Sequence, residues 1–531
     1  MYSTDDLTLS ELCGQLLCLD VSDKDDPETV EQLVRRMKPG GIFVAGMTPE
    51  KIRFYRNMVN RHTRIPCIVA ADVEYGPGSA VKGIPTLPHP MAWGASHDPA
   101  LVERAGYLTG VICKAAGIDY TLSPVVDINY NFNSPVLNVR SVSDRPELVA
   151  EIAGAYYKGM KRGGLTAACK HFPGDGTDDR NQHFCTSENN LSFARWKETY
   201  GRTFTHLISL GVESVMAAHI ALPSYDTVCD EQGYRPAVLS DSLMTDLLKG
   251  EMHFDGCVVS DAMSMIGACS RLPVDELAPE FIRCGGDLVL FPDDGDAQRL
   301  ENAVRTGRLS ADRVRDAFRR VLRLKERSGL FTCSHAVADM QDAVSELSEV
   351  GARLADESIK TVRDRDGLIA RGIRRGERVL VVGLFGESRR ESDRAGVFAP
   401  LLAALSERDC ETAYLENPGH RQIAAEIGNC DRVLVCAKFL PSDFCCGASL
   451  RMGWENMMTF WRGYILDPDK LIFASFGNPY TLYEMPYLRT CINAFSPSVY
   501  SQEALVRRLF LETAETAQNP VSLPGFFRFG E

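Results

Sequence analysis

Short apolar runs that end abruptly at a charged or polar residue recur along the N-terminal half of the chain, and they constrain its fold more than any other feature. The runs 67–71, 120–126, 214–218 and 256–260 lead directly to Asp72, Asp127, His219 and Asp261. The run 165–168 leads within two residues to Lys170 and His171, and 287–291 leads to Pro292-Asp293-Asp294. Another short apolar run occupies 40–44, and stretches with helical spacing at 49–61, 101–116, 147–163, 192–210 and 243–249 separate the runs. Strand alternating with helix is the rhythm of a parallel α/β architecture. Polar groups gathered at the strand ends suit a barrel, whose loops on that side form the working face. The pattern predicts an N-terminal (β/α)8-type TIM barrel, with an open doubly wound sheet as the alternative. Helices are also expected at 9–17 and 27–37, the second capped by Asp26 with Pro27 in its first turn.

The chain is too long for one core, and its pattern changes along its length. Residues 1–335 read as the barrel, 336–377 as a helical linker and 378–531 as a smaller C-terminal α/β domain. Strands of an open parallel sheet are expected at 379–382, 413–414, 432–436, 471–475 and 491–495. Gly383 and Gly386 follow the first of these without the third glycine of a dinucleotide loop, so no nucleotide cofactor is called for.

A formal net charge of −13 excludes the basic surface that nucleic acid requires. No apolar stretch reaches the ~20 residues of a membrane span. The N-terminal Met-Tyr-Ser-Thr-Asp-Asp lacks the apolar region of a secretory leader. The 17 cysteines are odd in number, scattered, and often inside apolar runs, and none shows zinc-ligand spacing. Buried thiols in a cytoplasmic protein that needs no metal account for them.

The densest chemistry lies between Ala168 and His183. The strand ending at Lys170 and His171 passes into Phe172-Pro173-Gly174-Asp175-Gly176, then a polar loop with Asp178, Asp179, Arg180, Asn181 and His183. From the residues alone this is either a charged surface loop or a site. Asp261, directly after a strand, could cap a helix or present a nucleophilic carboxylate.

Lys170-His171-Phe172-Pro173-Gly174, followed by a loop ending in His183, resembles the signature of glycoside hydrolase family three in its β-N-acetylglucosaminidase branch. Ser260-Asp261-Ala262-Met263-Ser264-Met265 resembles the same family's nucleophile segment. Asn138-Val139-Arg140-Ser141 and the Asp72 segment are similar to its sugar-binding segments. The resemblance implies a retaining exo-glycosidase that releases terminal β-linked N-acetylglucosamine, with peptidoglycan fragments as a setting, a carbohydrate substrate and no cofactor. It assigns Asp261 as nucleophile, His183 as acid/base, and Asp72, Arg140, Lys170 and His171 as sugar ligands. His219 is either a further sugar-site residue or a core histidine.

Asn181 stands where the branch commonly carries the aspartate that pairs with the loop histidine. Either Asn181 orients His183 without a charge, or Asp178 or Asp179 supplies one. A phosphorylase of the same branch, a β-glucosidase or β-xylosidase, and a sugar-binding protein without catalysis are the alternatives.

Overall fold

The computed structural model describes Tyr2 and residues 6–331, 340–386, 394–440, 457–459, 462 and 467–531. It divides into two compact units. The first comprises Met1–Ile84, Val102–Ile128 and Pro146–Leu347; the second comprises Pro85–Leu101, Asn129–Arg145 and Ser348–Glu531.

Eight parallel strands build the first unit. They are β1 (Leu17–Val21), β2 (Gly41–Val44), β3 (Ile68–Ala71), β4 (Tyr120–Thr121), β5 (Thr166–Phe172), β6 (Ser214–Ala217), β7 (Cys257–Ser260) and β8 (Val289–Leu290). Each strand pairs with its neighbours in sequence, and β1 pairs with β8. A parallel bridge from Val259 to Leu288 closes the ring. Every residue of β2, β3, β6 and β7 is buried, as strands covered on both faces require, which is why they read as unbroken apolar runs.

Around this ring the helices follow local rules. Asp26 accepts the Thr29 backbone N–H at 3.0 Å, Pro27 opens the helix Pro27–Met37, and that helix buries Val30, Val34 and Met37. The helix expected at 9–17 stops earlier, at Gln15, where β1 begins two residues on. A capping box of Thr8 and Glu11 starts that helix. β1 is extended because it is hydrogen-bonded on both sides, to β2 and β8, and that pairing overrides its leucine-rich composition.

The second unit carries a six-stranded sheet in the order Lys360–Asp364, Thr490–Asn493, Leu471–Ser475, Arg432–Lys438, Arg378–Phe385, Glu411–Glu416. All pairings are parallel except that of Lys360–Asp364, which runs antiparallel to its neighbour. Alternate residues face opposite cores: Leu380, Val382 and Val433 lie in one, Val379, Val381 and Leu434 in the other. The stretch expected as a helical linker therefore holds the helix Met340–Asp356 and also an edge strand of this sheet; its residues 336–339 lie outside the described ones. Among the described residues no helix is long and apolar enough to cross a membrane.

Lys325 is fully buried in the first unit and donates to Gln15 Oε1 at 2.7 Å and to the Pro66 carbonyl at 2.9 Å. Burial pushes its ammonium down to about 8, with Asp119 among the groups opposing that shift. An unfolded lysine holds its proton to about 10.4. Between these values the unfolded chain binds more protons, so stability rises with pH through this window and levels off above it. The expected gain is about 3 kcal/mol relative to Lys325→Met, which lacks the titrating group. Urea unfolding of both proteins at pH 7.5 and 10.5 measures it, and parallel stabilities at the two pH values would contradict it.

Candidate active site

The ends of β3, β4, β5, β6 and β7 bring their polar residues into one cluster of the first unit. Lys170 and His171 lie inside β5, near its end, where the pairing with β6 shifts register between Cys169 and Phe172. Lys170 is buried, and its ammonium meets Asp72 Oδ1 at 2.6 Å and Glu74 Oε1 at 2.8 Å. Two carboxylates on one cation keep it charged and aim it, while Asp72 stays partly exposed. His171 Nδ1 lies 2.6 Å from Asp127 Oδ2. The other Asp127 oxygen accepts the backbone N–H groups of His171, at 3.2 Å, and Asp175, at 2.7 Å. Asp127 is wholly buried, so this set of donors compensates its charge. The contact places the Nδ1 proton of His171 toward the carboxylate and so fixes the ring.

Asp261 is the first residue past β7. Its Oδ1 accepts the Ala262 backbone N–H at 2.8 Å, and its own N–H donates to the Ala217 carbonyl. Burial pushes the Asp261 carboxyl up, but His219, His171, the Ala262 N–H and Lys170 together outweigh it and hold the group below the usual carboxylate range. It is an ionised carboxylate at working pH, the state a nucleophile needs.

His219 is wholly buried and donates Nε2–H to the Ala262 carbonyl at 2.9 Å. Its Nδ1 has no hydrogen-bond partner among the described residues. Burial pushes its pKa down against the opposing pull of Asp261. The buried ring is thus tied to the peptide that follows Asp261.

The loop after β5 turns at Gly174, whose φ of +117° suits glycine and whose missing side chain lets the Tyr200 ring pack against it. Tyr200 donates its hydroxyl to the Asp175 carbonyl at 2.7 Å. Asn181 Oδ1 receives the His183 backbone N–H at 2.9 Å and lies 2.7 Å from His183 Nδ1. An amide oxygen can only accept, so Nδ1 carries a proton and Nε2 is the nitrogen that can gain or lose one. Asp178 turns to Arg180 and to the Glu188 backbone N–H, and Asp179 lies exposed on the loop. Asn181 is thus a neighbour in hydrogen-bond contact with the His183 ring. Arg140 falls in the second unit, in the short turn Asn138–Arg140, with Nη1 donating to the Val136 carbonyl at 3.2 Å.

Glu74, Asp127 and Asp175 were not singled out from sequence as site residues. Asp127 carried the signal, since it ends an apolar run as Asp72 and Asp261 do. Glu74 and Asp175 stand among glycines and prolines, and only the folded chain shows what they hold.

Known proteins resemble this chain in sequence and fold. The N-terminal domain of glycosyl hydrolase family 3 matches residues 8–324. A β-N-acetylglucosaminidase/β-glucosidase of Cellulomonas fimi is 30% identical over 527 residues, covering 96% of this chain and 93% of that protein. The structure of a β-glucoside phosphorylase, BglX, bound to 2FGlc superposes with a TM-score of 0.86 at 27% identity, over 98% of this chain and 95% of the other. A family 3 β-N-acetylglucosaminidase from Paenibacillus sp. str. FPU-7 shares the fold, with a TM-score of 0.83 at 24% identity over 97% and 99% of the two chains. With the barrel matched from end to end and a relative aligned along nearly its whole length, the chain belongs to glycosyl hydrolase family 3.

Proposed function

We propose that the protein is a retaining exo-β-N-acetylglucosaminidase with Asp261 as nucleophile and His183 as acid/base. The observation that carries this is the ionised Asp261 at the end of β7, flanked by Lys170 and His171. The name of the Cellulomonas fimi relative supports the sugar. Asp261 attacks the anomeric carbon as the bond from that carbon to the aglycone oxygen breaks. His183, entering this step as the imidazolium, gives its Nε2 proton to the departing oxygen and becomes neutral. A water then loses a proton to His183 while its oxygen bonds the anomeric carbon, and the ester to Asp261 breaks. Asp72, Lys170 and His171, gathered at the ends of β3 and β5, grip the sugar hydroxyls. Cell-wall fragments in the cytoplasm are the setting that this specificity and the buried thiols fit.

A phosphorylase is the second reading, and the His183–Asn181 pair favours it. Neither partner is a carboxylate, so the acid/base offers no negative charge to repel an incoming phosphate. The likeness to a β-glucoside phosphorylase at 27% identity supports it too. Incubation with p-nitrophenyl β-N-acetylglucosaminide and its β-glucoside, with and without inorganic phosphate, decides between them. N-acetylglucosamine in both conditions is expected; the sugar 1-phosphate, formed only with phosphate, would establish the second reading. Preference for the glucoside would overturn the sugar assignment.

Asn181→Asp adds a charge 2.7 Å from the His183 ring. It favours the protonated imidazole, so the basic limb of kcat/KM is expected to move up by about 1 pH unit or more. An unmoved limb would show that another group titrates there.

A further inference from the structure

The acid/base loop and the segment that follows the nucleophile touch at backbone distance. After Asp261 the chain turns and enters the short helix Ile266–Cys269. Ile266 N–H donates to the His183 carbonyl at 3.1 Å, and Thr186 Oγ1 donates to the Gly267 carbonyl at 3.2 Å. A Cβ on Gly267 would lie 2.4 Å from the Gln182 carbonyl oxygen, 3.0 Å from His219 Cβ and 3.1 Å from the Cys185 carbonyl oxygen. Gly267 is not among the residues with positive φ, so its backbone accepts any side chain; what forbids one is the loop lying against it.

The Gln182 side chain, almost wholly buried, ties the loop to His219 at the end of β6. Its Nε2 donates to Asp175 Oδ2 at 3.4 Å, and its Oε1 accepts the His219 backbone N–H at 3.3 Å. His219 in turn holds the Ala262 carbonyl, and Ala262 N–H holds Asp261. A run of contacts thus links the loop at Asp175 to the carboxylate at Asp261.

We infer that Gly267 and Gln182 are positioning residues that dock the His183 loop onto the Asp261 turn, fixing the distance between proton donor and nucleophile. This rests on the reading of His183 as acid/base. The two elements are joined by few but backbone-level contacts, so a single methyl at Gly267 must push the loop away by about 1 Å, a displacement that costs roughly a hundredfold when it separates reacting groups. The two Gln182 contacts are long, so their loss is expected to cost less, about tenfold.

The distinguishing readout is the leaving group. An alkyl aglycone departs only with a proton from His183, whereas dinitrophenolate departs without one. In the full-length protein, Gly267→Ala is expected to lower kcat/KM about 100-fold for an alkyl glycoside and less than about 3-fold for the 2,4-dinitrophenyl glycoside of the same sugar. Gln182→Leu is expected to show the same selectivity at about tenfold, and it bears the test alone if Gly267→Ala does not fold. Equal losses for both glycosides, or none, would overturn the inference. His183→Ala is measured alongside. Selectivity there without selectivity in the two variants sinks the docking role alone, and absence of selectivity in His183→Ala sinks the acid/base reading itself.

Discussion

Asp261→Asn is expected to lower kcat/KM for an N-acetylglucosaminide by at least about a thousandfold, because an amide cannot form the covalent glycosyl ester. The fold is expected to survive. The residue's backbone N–H still donates to Ala217, and the amide oxygen can still accept from Ala262, which are the contacts that place it. Removing the charge also leaves Lys170 with both of its own carboxylate partners, Asp72 and Glu74. Steady-state kinetics together with a thermal unfolding curve checks this. A variant with an unchanged melting midpoint and near-native turnover would remove Asp261 from the chemistry.

The second large effect is expected in His183→Ala, where loss of general acid–base catalysis costs about 10² to 10⁴ in kcat. The loss separates by step. With a dinitrophenyl glycoside the first step needs no proton, so product appears in a burst of one equivalent and then stalls, since no base activates water for the second step. Added azide, a nucleophile that needs no base, is expected to restore turnover and give the β-glycosyl azide. Rapid-mixing absorbance measurements follow the burst. Its absence, with both glycosides slowed alike, would mean that His183 serves structure or binding only. The partial exposure of the ring, and its Nδ1 tie to Asn181, are what let it reach water and substrate in turn.

Much of the barrel was legible because parallel strands buried on both faces have little choice of residue, so β2, β3, β6 and β7 appear as apolar runs, the last three with a polar stop. β1 was not legible. Leu17–Val21 carries one exposed position, Asp20, in an otherwise buried run that continues a helix, and only pairing on both edges makes it a strand. Lys360–Asp364 was missed for the opposite reason, since it is an edge strand of charged and half-buried residues with no apolar run to read. That 85–101 and 129–145 pack with the second unit depends on contacts far apart in sequence, which local pattern does not carry. In the site, the strand-end residues were visible one by one, but their pairing was not. Nothing local says that Asp127 would hold His171, that Glu74 would share Lys170 with Asp72, or that His219 would hold the Ala262 carbonyl. Asn181 is the reverse case. Its place beside His183 was readable as an expectation, and the 2.7 Å contact is what turns a departure from a pattern into a chemical statement.

The most direct test of the account is to trap the intermediate. The protein is incubated with a 5-fluoro N-acetylglucosaminyl fluoride, whose good leaving group speeds the first step while the ring fluorine slows both, and is then digested and sequenced by mass spectrometry. The account predicts one added fluorosugar per chain, on the peptide that contains Asp261, and none in Asp261→Asn. An active wild-type protein labelled on another residue would contradict it.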